Sequence, residues 1–498
     1  MPQPHSKSKR ARPAPLPRLV AGLLLASTML AGWPVLAQEA QTPAPEADSA
    51  AADELRNPFG NNKASAAPQP IPDDAPAAIG RTIPAAPVNS LETDNSGLAT
   101  PDLGRQNLPN PSIDGLRTAA APWTDEPPGV RLGTFILRPS IAQGVGYERT
   151  KTGDDVQTRS FSTTTLRGTV VSDWSLHQLT INGAGTFEKN FTDSNNTEPE
   201  ALIDADLRLD LSADTTVNLI AGYSLEREDA ADPNAIMDAD RQSAVQNFGG
   251  GARIQRDFGL IRGTLGATID RTTYGAVELS DGSELSQSDR NNNEGVLTGR
   301  IGYEISPALI PFIEASAGRV HYDDARDSAG FARSGDVYAA RTGVELDLGE
   351  KLRGEFAIGY DRETYDDERL KTINAFSVDG SVDWSPQRGT NVNLGLRTSI
   401  EPSTTPGESG YVSYLASADI THEMRNNLVA RLISSYEWRD FPTSSASNQN
   451  VYIIGTGLTW GLNRYLALSG DVSYELTKPE TGADTGVTRA GLGLVLRR

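Results

Sequence analysis

Between Ala201 and Ser212 the chain alternates almost residue by residue. Ala201, Ile203, Ala205, Leu207, Leu209 and Leu211 fall on one side, and Leu202, Asp204, Asp206, Arg208, Asp210 and Ser212 fall on the other. A helix, with 3.6 residues per turn, mixes these two sets; a strand, with a period of two, separates them. A wholly apolar face backed by a charged one suits a wall with lipid on one side and water on the other. That requirement excludes most soluble folds before any composition is considered.

The same period recurs from residue 131 to the end. Val217, Leu219, Ala221, Tyr223 and Leu225 share a face, as do Leu352, Phe356, Ile358 and Tyr360, and later Leu466, Leu468, Val472, Tyr474 and Leu476. The pattern predicts about eighteen strands, the first two over 132–149 and 158–174 and the last over 487–497. Short connections such as Ser212–Thr215, Gly349–Lys351 and Asn463–Arg464 alternate with long ones such as 229–242, 275–290 and 323–335. An even strand count with short turns at one end and long loops at the other predicts an all-β fold, a transmembrane antiparallel up-and-down β-barrel. Only 37% of the 498 residues are apolar, which a barrel tolerates because alternate side chains face water. No segment after the leader approaches the roughly 20 consecutive apolar residues of a membrane helix.

Aromatic residues mark where such a barrel meets the two headgroup layers. Tyr147, Phe187, Tyr223, Tyr360, Tyr436, Trp438 and Tyr474 precede long loops, and Trp174, Tyr303, Trp384 and Trp460 precede short turns, all on the expected lipid face. Tyr274 has the opposite parity to Leu265 and Ile269, which predicts a bulge between them. The C-terminus carries Leu492, Leu494 and Leu496 and then Arg497-Arg498, without the terminal aromatic common in barrels.

Upstream, Lys7, Lys9, Arg10, Arg12 and Arg18 precede an apolar core around Leu23-Leu24-Leu25, and Val35-Leu36-Ala37 forms a cleavage pattern. Residues 1–37 therefore read as a secretory signal peptide. Residues 38–129 are rich in Ala, Pro, Asp, Asn and Ser without either period, and read as a disordered periplasmic linker. Residues 130–498 form the barrel. The destination is the outer membrane of a Gram-negative cell, with lipid and lipopolysaccharide as partners.

The net charge is −20 and there is no cysteine. A polyanion of this size is repelled by phosphate backbones, which excludes a nucleic-acid partner. The missing thiols exclude disulfides and thiolate metal sites. Parity assigns a pore lining of mixed sign: Arg138, Arg167, Arg208, Arg253, Arg300, Arg341, Arg353, Arg397 and Arg431, with Asp204, Asp206, Asp210, Glu314, Glu345, Glu355, Asp379, Asp419 and Asp471. Such a set can brace the wall as ion pairs, or screen solutes through a transverse field.

Signals for catalysis are weak. His177, His321 and His422 fall on separate hairpins without metal-ligand spacing, and His321 beside Asp323, Asp324 and Ser328 shows no base–nucleophile spacing. Phe248-Gly249-Gly250-Gly251 lacks the lysine and hydroxyl of a phosphate loop. The acidic segment Glu226–Asp240 does not match the EF-hand spacing. Neither an enzyme nor a cofactor is expected.

The stretch from Asn293 to about Leu496 resembles the putative β-barrel porin 2 family. The resemblance is carried by Gly302-Tyr303-Glu304-Ile305-Ser306-Pro307-Ala308-Leu309 and Pro311-Phe312-Ile313-Glu314-Ala315. Gly359-Tyr360-Asp361-Arg362, Arg425-Asn426-Asn427-Leu428 and Leu462-Asn463-Arg464 extend it. It implies an outer-membrane barrel with a pore-like role, a link to polysaccharide export and its partners, and no catalytic motif. Two functions remain open at this stage: a water-filled pore for passive passage of hydrophilic solutes or glycan, and a closed structural barrel whose outer loops bind ligands.

Overall fold

In the computed structural model, residues 127–498 are described except for 192–196, 230–231, 237–238 and 445–446. Eighteen antiparallel strands close on themselves. They are β1 (Phe135–Thr152), β2 (Asp155–Ser172), β3 (Gln178–Asn190), β4 (Thr197–Ser212), β5 (Thr215–Arg227) and β6 (Ala244–Phe258). Next come β7 (Ile261–Tyr274), β8 (Asn292–Tyr303), β9 (Leu309–Tyr322), β10 (Gly335–Asp347), β11 (Leu352–Tyr365) and β12 (Ile373–Gln387). The last six are β13 (Thr390–Pro402), β14 (Gly410–Arg425), β15 (Leu428–Asp440), β16 (Gln449–Asn463), β17 (Leu466–Pro479) and β18 (Thr485–Arg497). Each strand pairs with its sequence neighbours, and β18 returns to β1 from Ser140↔Arg497 to Thr152↔Thr485. Closure leaves no open sheet edge, the condition a β-structure must meet in lipid, where no water can satisfy an unpaired amide. The leader and residues 38–126 lie outside the described residues.

Both chain ends of the barrel sit at the short-turn end. Val130–Leu132 pairs with the start of β1, and the amide of Arg498 donates to the carbonyl of Pro139. The β1–β2 hairpin is longer than its alternation suggested. The two strands run on to Thr152 and Asp155 and meet through Gly153-Asp154, a tight turn that Gly153 permits by adopting a φ of 59°. Polar residues flank this turn, so the apolar period ends several residues before the ladder does.

The alternation is realised as two unlike faces. Leu166, Leu211, Leu265, Ile269, Leu297, Ile301, Ile313 and Leu492 project from the wall as exposed apolar side chains. Tyr147, Phe187, Tyr360, Tyr436, Trp438 and Tyr474 are exposed near the long loops, and Trp174, Tyr303, Trp384 and Trp460 near the short turns. These are the two girdles the parity argument anticipated, and they bracket the apolar belt. Tyr223, also expected in the girdle, is half-buried against Phe248 at 4.9 Å between ring centroids.

One expectation fails. No bulge separates Leu265 from Tyr274: the β6–β7 register runs unbroken from Val245↔Tyr274 to Phe258↔Ile261. Tyr274 shares the face of the buried Asp270 and Thr272, and the Arg290 guanidinium stacks over its ring at 3.9 Å. A nearby cation, rather than lipid, is the reason an aromatic stands at that parity.

Candidate pore lining and its mouth

Opposite the apolar belt, the inner faces of the strands carry a lattice of charge. In β8 the Arg300 Nε donates to Glu314 Oε2 of β9 at 2.8 Å, and its Nη1 donates to Glu355 Oε2 of β11 at 2.8 Å. The same guanidinium lies 3.9 Å from the Phe312 ring centre. Arg341 of β10 continues the chain of contacts to Asp361 at 3.2 Å, Asp379 at 3.1 Å and Glu314 at 3.7 Å. Two arginines thus bind four acids across five consecutive strands. Bidentate guanidinium–carboxylate geometry fixes such pairs better than a lysine would.

Arg262 of β7 bridges Asp257 at 2.9 Å and Glu345 of β10 at 3.5 Å. Arg208 meets Asp210 at 3.0 Å, and Asn218 donates to Asp206 at 3.2 Å. Arg431 donates to Asp419 at 2.9 Å, and Arg353 reaches Asp347 at 3.5 Å. Arg138, Arg167, Asp204, Arg253 and Arg397 lie on the same parity as these groups. Asp471 does too, and its register neighbours are Gly457 and Gly491, which offer no side chain to it.

Sequence reading missed a second lattice on the other side of the barrel. Arg159 binds Glu148 at 2.7 Å and also pairs with Glu188, while Arg489 binds Glu148 at 2.7 Å and Glu475 at 3.5 Å. Glu148 follows Tyr147 in the alternation, so parity alone would have placed it inside.

The long-loop end is bridged. The loop after β5 carries Asn234, whose Nδ2 donates to the Pro402 carbonyl at 2.9 Å and whose Oδ1 accepts from the Thr404 amide at 3.0 Å. Arg333, in the loop after β9, donates to Asp327 at 2.6 Å and to the carbonyls of Glu408 and Thr405 at 3.1 and 3.2 Å. Arg369, after β11, donates to the Gly330 carbonyl at 2.6 Å and stacks on Phe331 at 4.2 Å. Arg290 clasps Glu228 at 2.5 and 3.0 Å, and the Ser328 amide donates to Asp289 at 2.9 Å. These contacts tie five loops into one canopy.

Charge is tuned there by contact. Arg369 and the Ala332 amide hold the Asp367 carboxyl well below the usual range. Burial acts against ionised Asp327, but the Phe331 amide and Arg333 outweigh it and keep its pKa low. At Glu228 burial prevails over Arg290 and pushes the carboxyl upward.

The groups weighed for catalysis are dispersed. The Asp210 amide donates to His177 Nδ1 at 3.2 Å, and His422 Nδ1 lies 2.8 Å from Thr390 Oγ1, at separate hairpins of the short-turn end. His321 is exposed at the other end, where Asp323 is engaged by Arg271 at 2.5 Å. Gly251 packs among the Ala267 carbonyl, Ile220 and Thr268, within the β6 strand. No group of three or more acidic or histidine side chains placed to hold a metal ion occurs among the described residues; Asp238 of the acidic segment lies outside them.

The family described as putative beta-barrel porin 2 matches residues 123–498, the whole barrel. The chain belongs to that family. This β-barrel porin 2 family member is therefore a porin-like outer-membrane β-barrel. A comparison with curated protein sequences finds no match. Among solved structures it is similar to the outer membrane protein opdK from Pseudomonas aeruginosa, at 12% identity and a TM-score of 0.38, covering 73% of this chain and 99% of that one. OccAB4 of Acinetobacter baumannii matches at 11% identity and 0.36, covering 73% and 98%. The siderophore receptor PirA from Pseudomonas aeruginosa matches at 11% and 0.34, covering 73% and 80%.

Proposed function

We propose that this barrel passes hydrophilic solutes passively across the outer membrane. The observation that carries the reading is the Arg300–Glu355 pair. It joins strands three apart across the inner face, within a lattice holding both signs of charge, while the outer face is apolar. Charges disposed in this way hydrate a lumen and set a transverse field that favours small polar solutes over apolar ones. An eighteen-strand barrel has the girth for a water channel. The residues assigned by parity, from Arg138 to Asp471, are its lining.

In this reading the short turns face the periplasm, where residues 38–129 form a tether following a cleaved signal peptide at 1–37. The long loops face outward among lipopolysaccharide. A glycan permeant supplied by a polysaccharide-export partner also suits a lining of carboxylates, guanidinium groups and hydroxyls.

The canopy favours a second reading. Loops tied across the mouth by Asn234 and Arg333 present a rigid outer surface, which suits a closed barrel that binds ligands from outside. Planar-bilayer recording of the refolded mature chain separates the two. Steady ohmic steps support the pore, and silence in symmetric salt supports the binding barrel.

A further inference from the structure

One stretch of the lipid-facing wall is hollow. Across β6–β9 the apolar face dips into a groove of about 580 Å3, within the range of small-ligand sites, about 300–1,000 Å3. Four residues on the outer face of β7 and β8 set its course. Gly263 is the register partner of Ile301, and Leu265 is the register partner of Gly299. The two glycines therefore lie on one diagonal and the two large side chains on the other, so the groove slants across the strands. Its floor runs from Gly263 through Gly299 to Ala315, and a methyl group placed on Gly299 would meet no atom within 4 Å. Leu265 with its partner Ile254 forms one wall, and Ile301 with its partner Ile313 forms the other. All four are exposed. Glycine inside a strand often marks a place where another molecule approaches the backbone closely. In hydrocarbon such a hollow is filled, because an unfilled one forfeits dispersion contacts.

A cation stands at one end of the floor. Arg256 of β6 is the register partner of Gly263, lines the groove and is exposed on the outer face. Its row lies one step on the hydrocarbon side of Phe258, Ile261 and Tyr303, which share the next row and belong to the short-turn girdle. The guanidinium sits 5.1 Å from the Phe258 ring centre, so the side chain reaches toward the headgroup layer, as a long cationic side chain near an interface does. Among the described residues it forms no ion pair, and its register partners Thr215 and Gly263 carry no charge. Other guanidinium groups of outer parity, such as Arg149, Arg271, Arg319 and Arg362, stand at the long-loop end.

We propose that this groove seats an anionic phospholipid of the leaflet at the short-turn end. One acyl chain lies along Gly263, Gly299 and Ala315, and the headgroup phosphate meets Arg256. The apolar channel fits the chain, and the cation at its headgroup end selects a lipid that brings a net negative charge. A second copy of the barrel suits the groove less. Among the described residues no strand carries a carboxylate of outer parity at the short-turn end, so a copy packed there would leave Arg256 without a counter-charge. The lipid site stands apart from the lumen and does not depend on whether the pore is open.

The absence of cysteine allows a direct test. The mature protein is refolded into phosphatidylcholine vesicles with a single bimane label, either at Leu297→Cys beside the groove or at Val472→Cys on the opposite wall. Both positions are exposed on the outer face. Phosphatidylglycerol or phosphatidylcholine brominated in the acyl chains is then added in increasing proportion. The Leu297 label is expected to reach half-quenching at about fivefold lower mole fraction of the brominated phosphatidylglycerol than of the brominated phosphatidylcholine. The Val472 label should reach it at equal fractions. Arg256→Gln, which removes the cation, and Gly299→Leu, which fills the floor, should each abolish the difference at Leu297. Equal quenching by the two lipids at Leu297, the same preference at Val472, or a preference that survives either substitution overturns the site. A Leu297 label that neither lipid quenches, beside a Val472 label that both quench, would show a second copy covering the groove and overturns it too. The first comparison alters no groove residue, so it decides the matter even if a variant fails to fold.

Discussion

Asn234 and Thr404 are held together by a 3.0 Å hydrogen bond although the strands that lead to them, β5 and β13, stand eight apart in a ring of eighteen. Strands that far apart are nearly opposite, so the loop after β5 crosses the mouth. Asn234→Ala removes all three of its side-chain bonds to the 402–404 segment, at about 1 kcal/mol each. The expected result is a larger single-channel conductance and more frequent full openings, with the folded barrel retained on unheated gels. An unchanged conductance would mean that the crossing does not limit passage.

Arg341 is the hub of the lining lattice, touching Asp361, Asp379 and Glu314. Arg341→Ala deprives Asp361 and Asp379 of this cation, while Glu314 keeps Arg300. Removing one partner of a buried ionic cluster costs about 3–5 kcal/mol, and the lumen water should reduce that. The urea midpoint should fall, and the reversal potential in a salt gradient should move toward greater cation preference. Arg341→Lys should recover part of the stability, because a point charge cannot keep the forked geometry.

The strands and their two faces are readable in the sequence because the barrel's alternation is local: each side chain's fate is set by its own position in a period of two. The lattice is half readable for the same reason. Parity finds Arg300, Glu314 and Glu355, but only packing shows that Arg300 reaches past β9 and β10 to Glu355. The canopy and the cover over Ile400, which packs with Ile373 and Ala375, are not readable, since both depend on contacts between distant segments. Nothing near Ile400 distinguishes it from Leu396, yet one is covered by β12 and the other is not. Tyr274 shows the converse, an aromatic of unexpected parity that a neighbouring arginine explains.

Acid should loosen the canopy. Asp327 and Asp367 have carboxyl pKa values lowered by Arg333, Arg369 and backbone amides. A carboxylate with a depressed pKa contributes stability above its unfolded value, near about 4, and loses it as pH falls toward the folded value. Glu228, with its pKa raised, acts in the opposite sense and is relieved by protonation. The two aspartates anchor three of the five loops, so their loss should prevail. Below about pH 4, cleavage after the exposed Arg326 by an acid-tolerant protease should rise while the barrel stays folded. Asp367→Asn should give the same susceptibility at neutral pH.

Leu297 and Thr298 test the wall itself. They are adjacent in β8, with Leu297 63% exposed on the apolar belt and Thr298 5% exposed on the inner face. Leu297→Arg places a guanidinium in hydrocarbon near the middle of the strand, at a cost of about 2–4 kcal/mol. Its folding yield in lipid should drop and its denaturant midpoint should fall. Thr298→Arg instead adds a cation to the aqueous side, among Asp270, Glu294 and Glu314 on the same face of β7, β8 and β9. It should fold nearly as well as the native chain and shift ion selectivity toward anions. If both variants misfolded alike, or if Leu297→Arg were the harmless one, the assignment of the two faces would be reversed and with it every residue placed in the lining.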